Sequence, residues 1–231
     1  MSTAVTPGGT PAGPASIAER AAGVRDRIAA AGGDPTAVTL VAVTKGFPAD
    51  VAVAAARAGL VDLGENYAQE LAAKVDAVAA GGHGARWHFL GNLQRNKVRI
   101  LAAHVSLWQS VDRAPLGGEI AKRAPGASVL AQVNLSGEAQ KGGCGRDELP
   151  ELVEALVAAG LDVQGLMGVA PAGPAESARE GFRWLRAEVD RLGLSVCSMG
   201  MSADLEVAVQ EGSTMIRIGT GLFGARPPRR A

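Results

Sequence analysis

The sequence predicts a one-domain α/β protein in which eight parallel strands alternate with helices and close into a barrel. Three observations carry this. Short β-branched apolar runs alternate with Ala/Leu/Glu/Arg-rich stretches of helical period, and no composition break divides the chain. The runs are apolar at nearly every position, as in parallel strands covered by helices on both faces. The strand count reaches eight in 231 residues, which with right-handed crossovers fits a barrel fold of roughly 250 residues. Periodicity by itself equally permits an open doubly wound sheet. The count favours the barrel.

In chain order, residues 17–31 have the period of an amphipathic helix and stop at Gly32-Gly33, a helix-ending pair. Val38-Thr-Leu-Val-Ala-Val-Thr is the first strand, with a helix near 49–58. Val61-Asp-Leu-Gly is the second, and 68–80 is its helix, ended by Gly81-Gly82. Arg86-Trp-His-Phe-Leu is the third, with a helix near 96–103. His104-Val-Ser-Leu-Trp-Gln-Ser-Val is the fourth, followed by a helix over 114–123. Ser128-Val-Leu-Ala-Gln-Val-Asn-Leu is the fifth, with a helix over 147–159. Val163-Gln-Gly-Leu-Met-Gly-Val is the sixth, with a helix over 176–192. Ser195-Val-Cys-Ser-Met is the seventh, with a helix over 204–211, and Thr214-Met-Ile-Arg-Ile-Gly is the eighth. The leading helix precedes the first strand, so it caps the barrel or supplies its eighth outer helix. Residues 1–15, rich in Pro, Gly, Thr and Ala, read as a disordered tail, 16–225 as the barrel, and 226–231 as a loose end whose arginines are solvated.

Composition removes several functional classes. With 47% hydrophobic and 20% charged residues the chain is globular. Its 23 Lys+Arg balance 23 Asp+Glu, unlike a nucleic-acid binder. No apolar run approaches the ~18 residues of a membrane span, and the N-terminus lacks the basic and apolar regions of a secretory signal. Cys144 and Cys197 are too few for a disulfide framework and lack metal-ligand spacing. A reduced, cytoplasmic, metal-free protein is expected.

Barrels of this kind carry their chemistry at the C-terminal strand ends, often with a phosphate site near the loops after strands 7 and 8. Those ends present Lys45, Glu65-Asn66, His88, Asn134, Met167-Gly168, Gly200-Met-Ser202 and Arg217-Ile-Gly219-Thr220-Gly221. Only five of the 23 basic residues are lysines, and Lys45 alone directly ends an apolar strand. Partial desolvation there would lower its pKa and free the amine to form a Schiff base; with equal weight, it is a lysine snorkelling into solvent. Gly219-Thr220-Gly221, with Ser202 opening the helix after strand 7, has the makings of a phosphate cup, since backbone N–H groups and hydroxyls can converge on an anion. Gly-Thr-Gly alone is as readily a turn; its place after strand 8 favours the cup. Asn66 and His88 could simply satisfy backbone groups. Residues 137–145, with Lys141 and Cys144, read as a mobile loop over the barrel mouth, and Cys144 has no base partner that would make it a nucleophile.

Six motifs in order carry a resemblance over nearly the whole chain outside the tails: Ala42-Val-Thr-Lys45, Gly64-Glu-Asn-Tyr-Ala-Gln-Glu70, Trp87-His-Phe-Leu-Gly-Asn-Leu-Gln-Arg-Asn-Lys97, Gly165-Leu-Met167, Ser198-Met-Gly-Met-Ser-Ala-Asp204 and Arg217-Ile-Gly-Thr220. Together they resemble the pyridoxal phosphate homeostasis protein (YggS/PROSC) family, whose fold is a single (β/α)8 TIM barrel of the alanine racemase N-terminal type without that enzyme's C-terminal β domain. The last predicted strand ends close to Ala231, which agrees. Thr44 stands where the family commonly has serine, and Asn92 where many members have proline.

The resemblance implies pyridoxal 5′-phosphate as cofactor, with Lys45 as the aldimine-forming lysine and Arg217 facing the pyridine nitrogen. It places Ser202, Gly219 and Thr220 on the phosphate and Asn66 beside the ring. An arginine at the ring nitrogen disfavours its protonation and weakens the cofactor as an electron sink. The expected function is therefore cofactor buffering and delivery by a cytoplasmic monomer, with apo-enzymes as recipients and no catalytic residue. The competing readings are a fold-type III amino-acid racemase and a Schiff-base aldolase without pyridoxal phosphate.

Overall fold

The computed structural model describes residues 14–138 and 141–227; most of both expected tails, 1–13 and 228–231, lies outside the described residues. Helix α1 (Pro14–Ala30) begins earlier than its period predicts, because proline is tolerated in a first helical turn. The strands follow as β1 (Thr39–Val43), β2 (Asp62–Glu65), β3 (Arg86–Phe89), β4 (Val105–Val111), β5 (Ser128–Asn134), β6 (Asp162–Val169), β7 (Val196–Ser198) and β8 (Met215–Ile218). Between them run α2 (Ala49–Arg57), α3 (Ala68–Ala80), α4 (Val98–Leu101), α5 (Ala114–Arg123), α6 (Leu149–Ala158), α7 (Arg179–Arg191) and α8 (Leu205–Gln210), with α9 (Thr220–Phe223) after β8. Each strand pairs with the next in parallel, and β8 pairs with β1 from Thr39↔Met215 to Ala42↔Ile218. The sheet is a closed barrel, so the open doubly wound alternative falls.

The structure departs from the predicted pattern in three places. The helices after β3 and β6 each start as a 3-10 turn, Arg95–Lys97 and Ala175–Ala178. Helix α9, which the periodicity does not predict, is a single turn whose Leu222 and Phe223 pack inward. The segment expected to be a mobile loop folds back onto β5: the Cys144 amide donates to the Gln132 carbonyl, and the Asn134 amide donates to the Cys144 carbonyl. The side chains of Gln132 and Asn134 donate to the carbonyls of Gly142, Glu138 and Lys141. Cys144 is buried, and burial pushes its thiol up to about 11, as expected of an unreactive thiol.

Alternation along each strand divides the core in two. Outward-facing Leu40, Ala42, Leu63, Phe89, Trp108, Leu166 and Ile216 pack under the helices. Val41, Leu107, Leu130, Met167 and Met215 form a separate cluster inside the barrel. Helix α1 buries Ile17, Ala21, Val24 and Ile28 and packs against α2, α8 and α9, so it supplies the eighth outer helix. It also ties down the loops after strands 7 and 8. Arg27 pairs with Glu206 at 2.6 Å and donates to the Ser202 carbonyl at 3.0 Å, and Arg20 donates to the Leu222 carbonyl.

Candidate functional site

Lys45, Asn66, Ser202, Arg217, Gly219 and Thr220 all line one cavity of about 450 Å³ at the C-terminal mouth of the barrel. Met167 and Val169 floor it and half-exposed Met201 lies at its edge. A roomier hollow of about 580 Å³ adjoins it through Asn66, but neither Lys45 nor Arg217 lines that space.

Lys45 follows β1 by two residues and is half-buried. Burial pushes its ammonium below the usual lysine range, the Arg226 and Arg217 cations push the same way, and Glu65 opposes them. The turn carrying it is held from beneath. Glu65 points outward from β2 into the layer under α3, where its Oε1 accepts from the Thr44 hydroxyl at 2.6 Å and from Lys74 Nζ at 2.5 Å. Lys74 also donates to the Thr44 carbonyl, and the Gly46 amide donates to Glu70. Burial pushes the Glu65 carboxyl up, against the pull of Lys74 and Thr44. Phe47 stacks edge-on against Phe223 at 5.5 Å, joining this turn to α9.

Opposite the amine, the loop after β7 and the start of α9 form a close cradle. A side chain on Gly219 would meet the Val43 carbonyl at 3.2 Å, and one on Gly221 would meet Ile218 at 2.9 Å and the Ser202 hydroxyl at 3.2 Å. Both positions are crowded for a side chain, and one at Gly221 would have to displace Ile218. Ser202 precedes α8 by three residues instead of opening it, because Asp204 caps the preceding turn by accepting from the Met201 amide at 2.6 Å. Arg217 is buried in β8. Its guanidinium donates to the Ser198 hydroxyl at 2.6 Å and the Gly168 carbonyl at 2.8 Å, and burial pushes it down to about 10. The Asn66 Oδ1 is buried and has no partner among the described residues.

Sequence reasoning missed two cations. Arg226, assigned to a loose tail, lines the cavity beside Lys45, Gly219 and Thr220. Nothing local marks it; its place follows from chain reversal through Gly224, a positive-φ residue after α9. Lys74, within the helix predicted over 68–80, is buried. Here a signal existed: Leu71, Lys74 and Val78 share the inward face of α3. His88, read as a strand-end group near the mouth, lies inside the barrel with Asp62 and Gln109. Among the described residues no cluster of His, Cys, Asp or Glu could hold a metal, and no helix is long and apolar enough to cross a membrane.

A closed eight-stranded barrel with a strand-end amine and a glycine-bearing strand-end loop in one cavity defines a class. Residues 17–227 match the family model of the alanine racemase N-terminal domain. The chain is 43% identical over 220 residues to the pyridoxal phosphate homeostasis protein of Pseudomonas aeruginosa, covering 91% of this chain and 94% of that protein. It is 38% identical over 229 residues to the protein of the same name from Escherichia coli K12, covering 91% and 97%. The solved structure of PipY from Synechococcus elongatus with PLP bound superposes with a TM-score of 0.76 at 34% identity, covering 90% of this chain and all of that one. The chain thus belongs to the pyridoxal phosphate homeostasis protein family.

Proposed function

We propose that this protein binds pyridoxal 5′-phosphate, holds it on Lys45 as the internal aldimine, and buffers or delivers it instead of turning over a substrate. The observation that carries the reading is the single cavity in which a pKa-lowered lysine faces a buried arginine and a glycine cradle. The residues fit the cofactor: Gly219 and Gly221 leave backbone bare where a side chain would crowd Val43, Ile218 and Ser202, and buried Asn66 Oδ1 lacks a partner that a ring substituent would supply. The relatives' names and the PLP-bound neighbour support the same choice.

The chain's own residues divide the work. Ser202, Gly219 and Thr220 take the phosphate, and Arg226 adds the positive charge that the cup otherwise lacks. Asn66 lies beside the ring. Lys45, whose ammonium is pushed below the usual lysine range by burial and by two cations, would supply the amine that condenses with the cofactor's aldehyde with release of water. Arg217 faces the ring nitrogen and opposes its protonation, which discourages carbanion chemistry. The protein acts as a monomer in the cytoplasm, with apo-enzymes as recipients. Borohydride reduction of the loaded protein followed by peptide mapping tests the assignment: the pyridoxyl label is expected on Lys45 and absent from Lys45→Ala. Recovery mainly on Lys74, Lys97, Lys122 or Lys141 would reject it.

A further inference from the structure

Inside the barrel, polar side chains from β2, β3, β4, β7 and β8 form one hydrogen-bonded file beside the apolar cluster. Arg217 Nη1 lies 2.6 Å from Ser198 Oγ, and Ser198 Oγ lies 2.7 Å from Gln109 Oε1. Gln109 Nε2 lies 2.8 Å from His88 Nδ1, and His88 Nε2 lies 3.0 Å from Asp62 Oδ1. Arg86 closes the far end with bonds of 2.7 and 2.6 Å to the Asp62 carboxylate. The Gln109–Ser198 link joins strands that are not neighbours in the barrel, so it crosses the lumen. Ser198, Gln109, His88 and Asp62 are all buried.

Donor and acceptor chemistry gives this file one direction. A guanidinium only donates, so Ser198 Oγ accepts from Arg217 and its own proton goes to Gln109 Oε1. The amide nitrogen of Gln109 must then donate, which makes His88 Nδ1 an acceptor. His88 Nε2 therefore carries the proton and gives it to Asp62, an acceptor whose carboxyl is held at about 2 by His88 and Arg86 despite burial. Every link presents its acceptor end toward Arg217. Among the described hydrogen bonds no carboxylate touches the guanidinium; Asp204 acts on it only at longer range, as do Cys197 and Lys45.

We infer that Asp62, His88, Gln109 and Ser198 are positioning residues that orient Arg217 and partly screen its charge toward the cofactor's ring nitrogen, with His88 fixed in the Nε2–H form. This rests on the pyridoxal phosphate reading for the role of Arg217, but the direction of the file does not. A carboxylate bonded directly to Arg217 would neutralise it. Polarised neutral groups hold it in place and leave it a cation.

Two measurements test the inference. NMR of the full chain labelled with 15N-histidine, at about pH 8 where an ordinary imidazole is neutral, reads the His88 ring in protein with and without pyridoxal phosphate, with His88→Gln giving the assignment. The Nε2–H tautomer is expected in both states, and an Nδ1–H or doubly protonated ring would overturn the file. In loaded protein, Ser198→Ala and Gln109→Met remove acceptor groups from the path to Arg217. The less screened cation disfavours further positive charge beside it, so the pH midpoint of the bound cofactor's visible band is expected to fall by roughly half a unit or more. Leu130→Ala, which cuts the apolar side of the same lumen, should lower stability and leave that midpoint in place. An unmoved midpoint in Ser198→Ala and Gln109→Met, or an equal shift in Leu130→Ala, would overturn the role. Should the polar variants not fold, the tautomer decides alone. A wild-type protein with no visible band would instead fail the cofactor reading, while the cofactor-free tautomer still judges the file.

Discussion

Lys45 owes its lowered pKa and its position to different neighbours. Burial and the cations of Arg226 and Arg217 lower its pKa, so the free amine is available at lower pH than for an ordinary lysine. Arg226→Gln removes one of those cations, and the pH midpoint for capture of pyridoxal phosphate is expected to rise, as followed by the growth of the visible band. The same change should weaken the phosphate complex about tenfold, the worth of one charge-assisted hydrogen bond; an unchanged midpoint and affinity would remove Arg226 from the site. The position of Lys45 depends on the buried Glu65–Lys74 pair under its turn. Lys74→Met leaves Glu65 buried without its cation, a loss of about 3–5 kcal/mol, measurable by urea unfolding. Glu65→Leu combined with Lys74→Met should recover most of that loss, because no lone charge then remains. A single variant as stable as wild type would show that the pair holds nothing.

Among the elements, α1 and α5 illustrate how packing modifies local preference. Helix α1 lies before the barrel in sequence yet clamps the loops after β7 and β8 through Arg27 and Arg20, so the geometry of those loops depends on a helix far from them in the chain. In α5, adjacent glycines have opposite surroundings. An added methyl at Gly118 meets nothing within 4 Å, whereas at Gly117 it would lie 2.2 Å from a methyl of Leu156 on α6. Gly118→Ala is therefore expected to raise stability by about 0.5–1 kcal/mol, the ordinary gain of alanine over glycine in a helix. Gly117→Ala should forfeit that gain by displacing Leu156. Thermal unfolding of the two variants side by side reads the difference, and equal gains would show that α5 does not press on α6 there.

For the whole molecule, the decisive property is what the barrel does with a bound cofactor. Arg217 donates to neutral acceptors only, so on the proposed reading it would stay a cation beside the ring nitrogen, oppose its protonation and deprive α-proton removal of its main stabilisation. Holo-protein is expected to pass pyridoxal phosphate to an added apo-enzyme, restoring that enzyme's activity. It is expected to leave L-alanine and other L-amino acids unracemised above background by chiral chromatography, with Lys45→Ala as control. Lys45-dependent racemisation at ordinary enzymatic rates, on the order of 1–10³ per second, would overturn the carrier reading and leave the cofactor assignment standing.

The eight strands, the order of their helices and the strand-end place of Lys45 and Arg217 were legible in the chain, because apolar runs and helical period are local signals and a parallel barrel has a repetitive topology. Helix α5 was located over its full length, and the six expected site residues do share one cavity. What escaped was set by contacts between distant segments. Arg226 reaches the cavity only because α9 and Gly224 reverse the chain. Lys74 is buried because Glu65, nine residues earlier, faces the same layer. The segment around Cys144 is pinned by backbone bonds to β5 that no composition announces. The pleat of β3 turns the His88 side chain into the lumen instead of under the helices, and only the closed barrel brings Gln109, Ser198 and Arg217 within hydrogen-bond reach of one another. Local chemistry along the chain determined which groups exist at the strand ends; closure of the sheet, which removes them from water and sets their neighbours, decided what those groups can do.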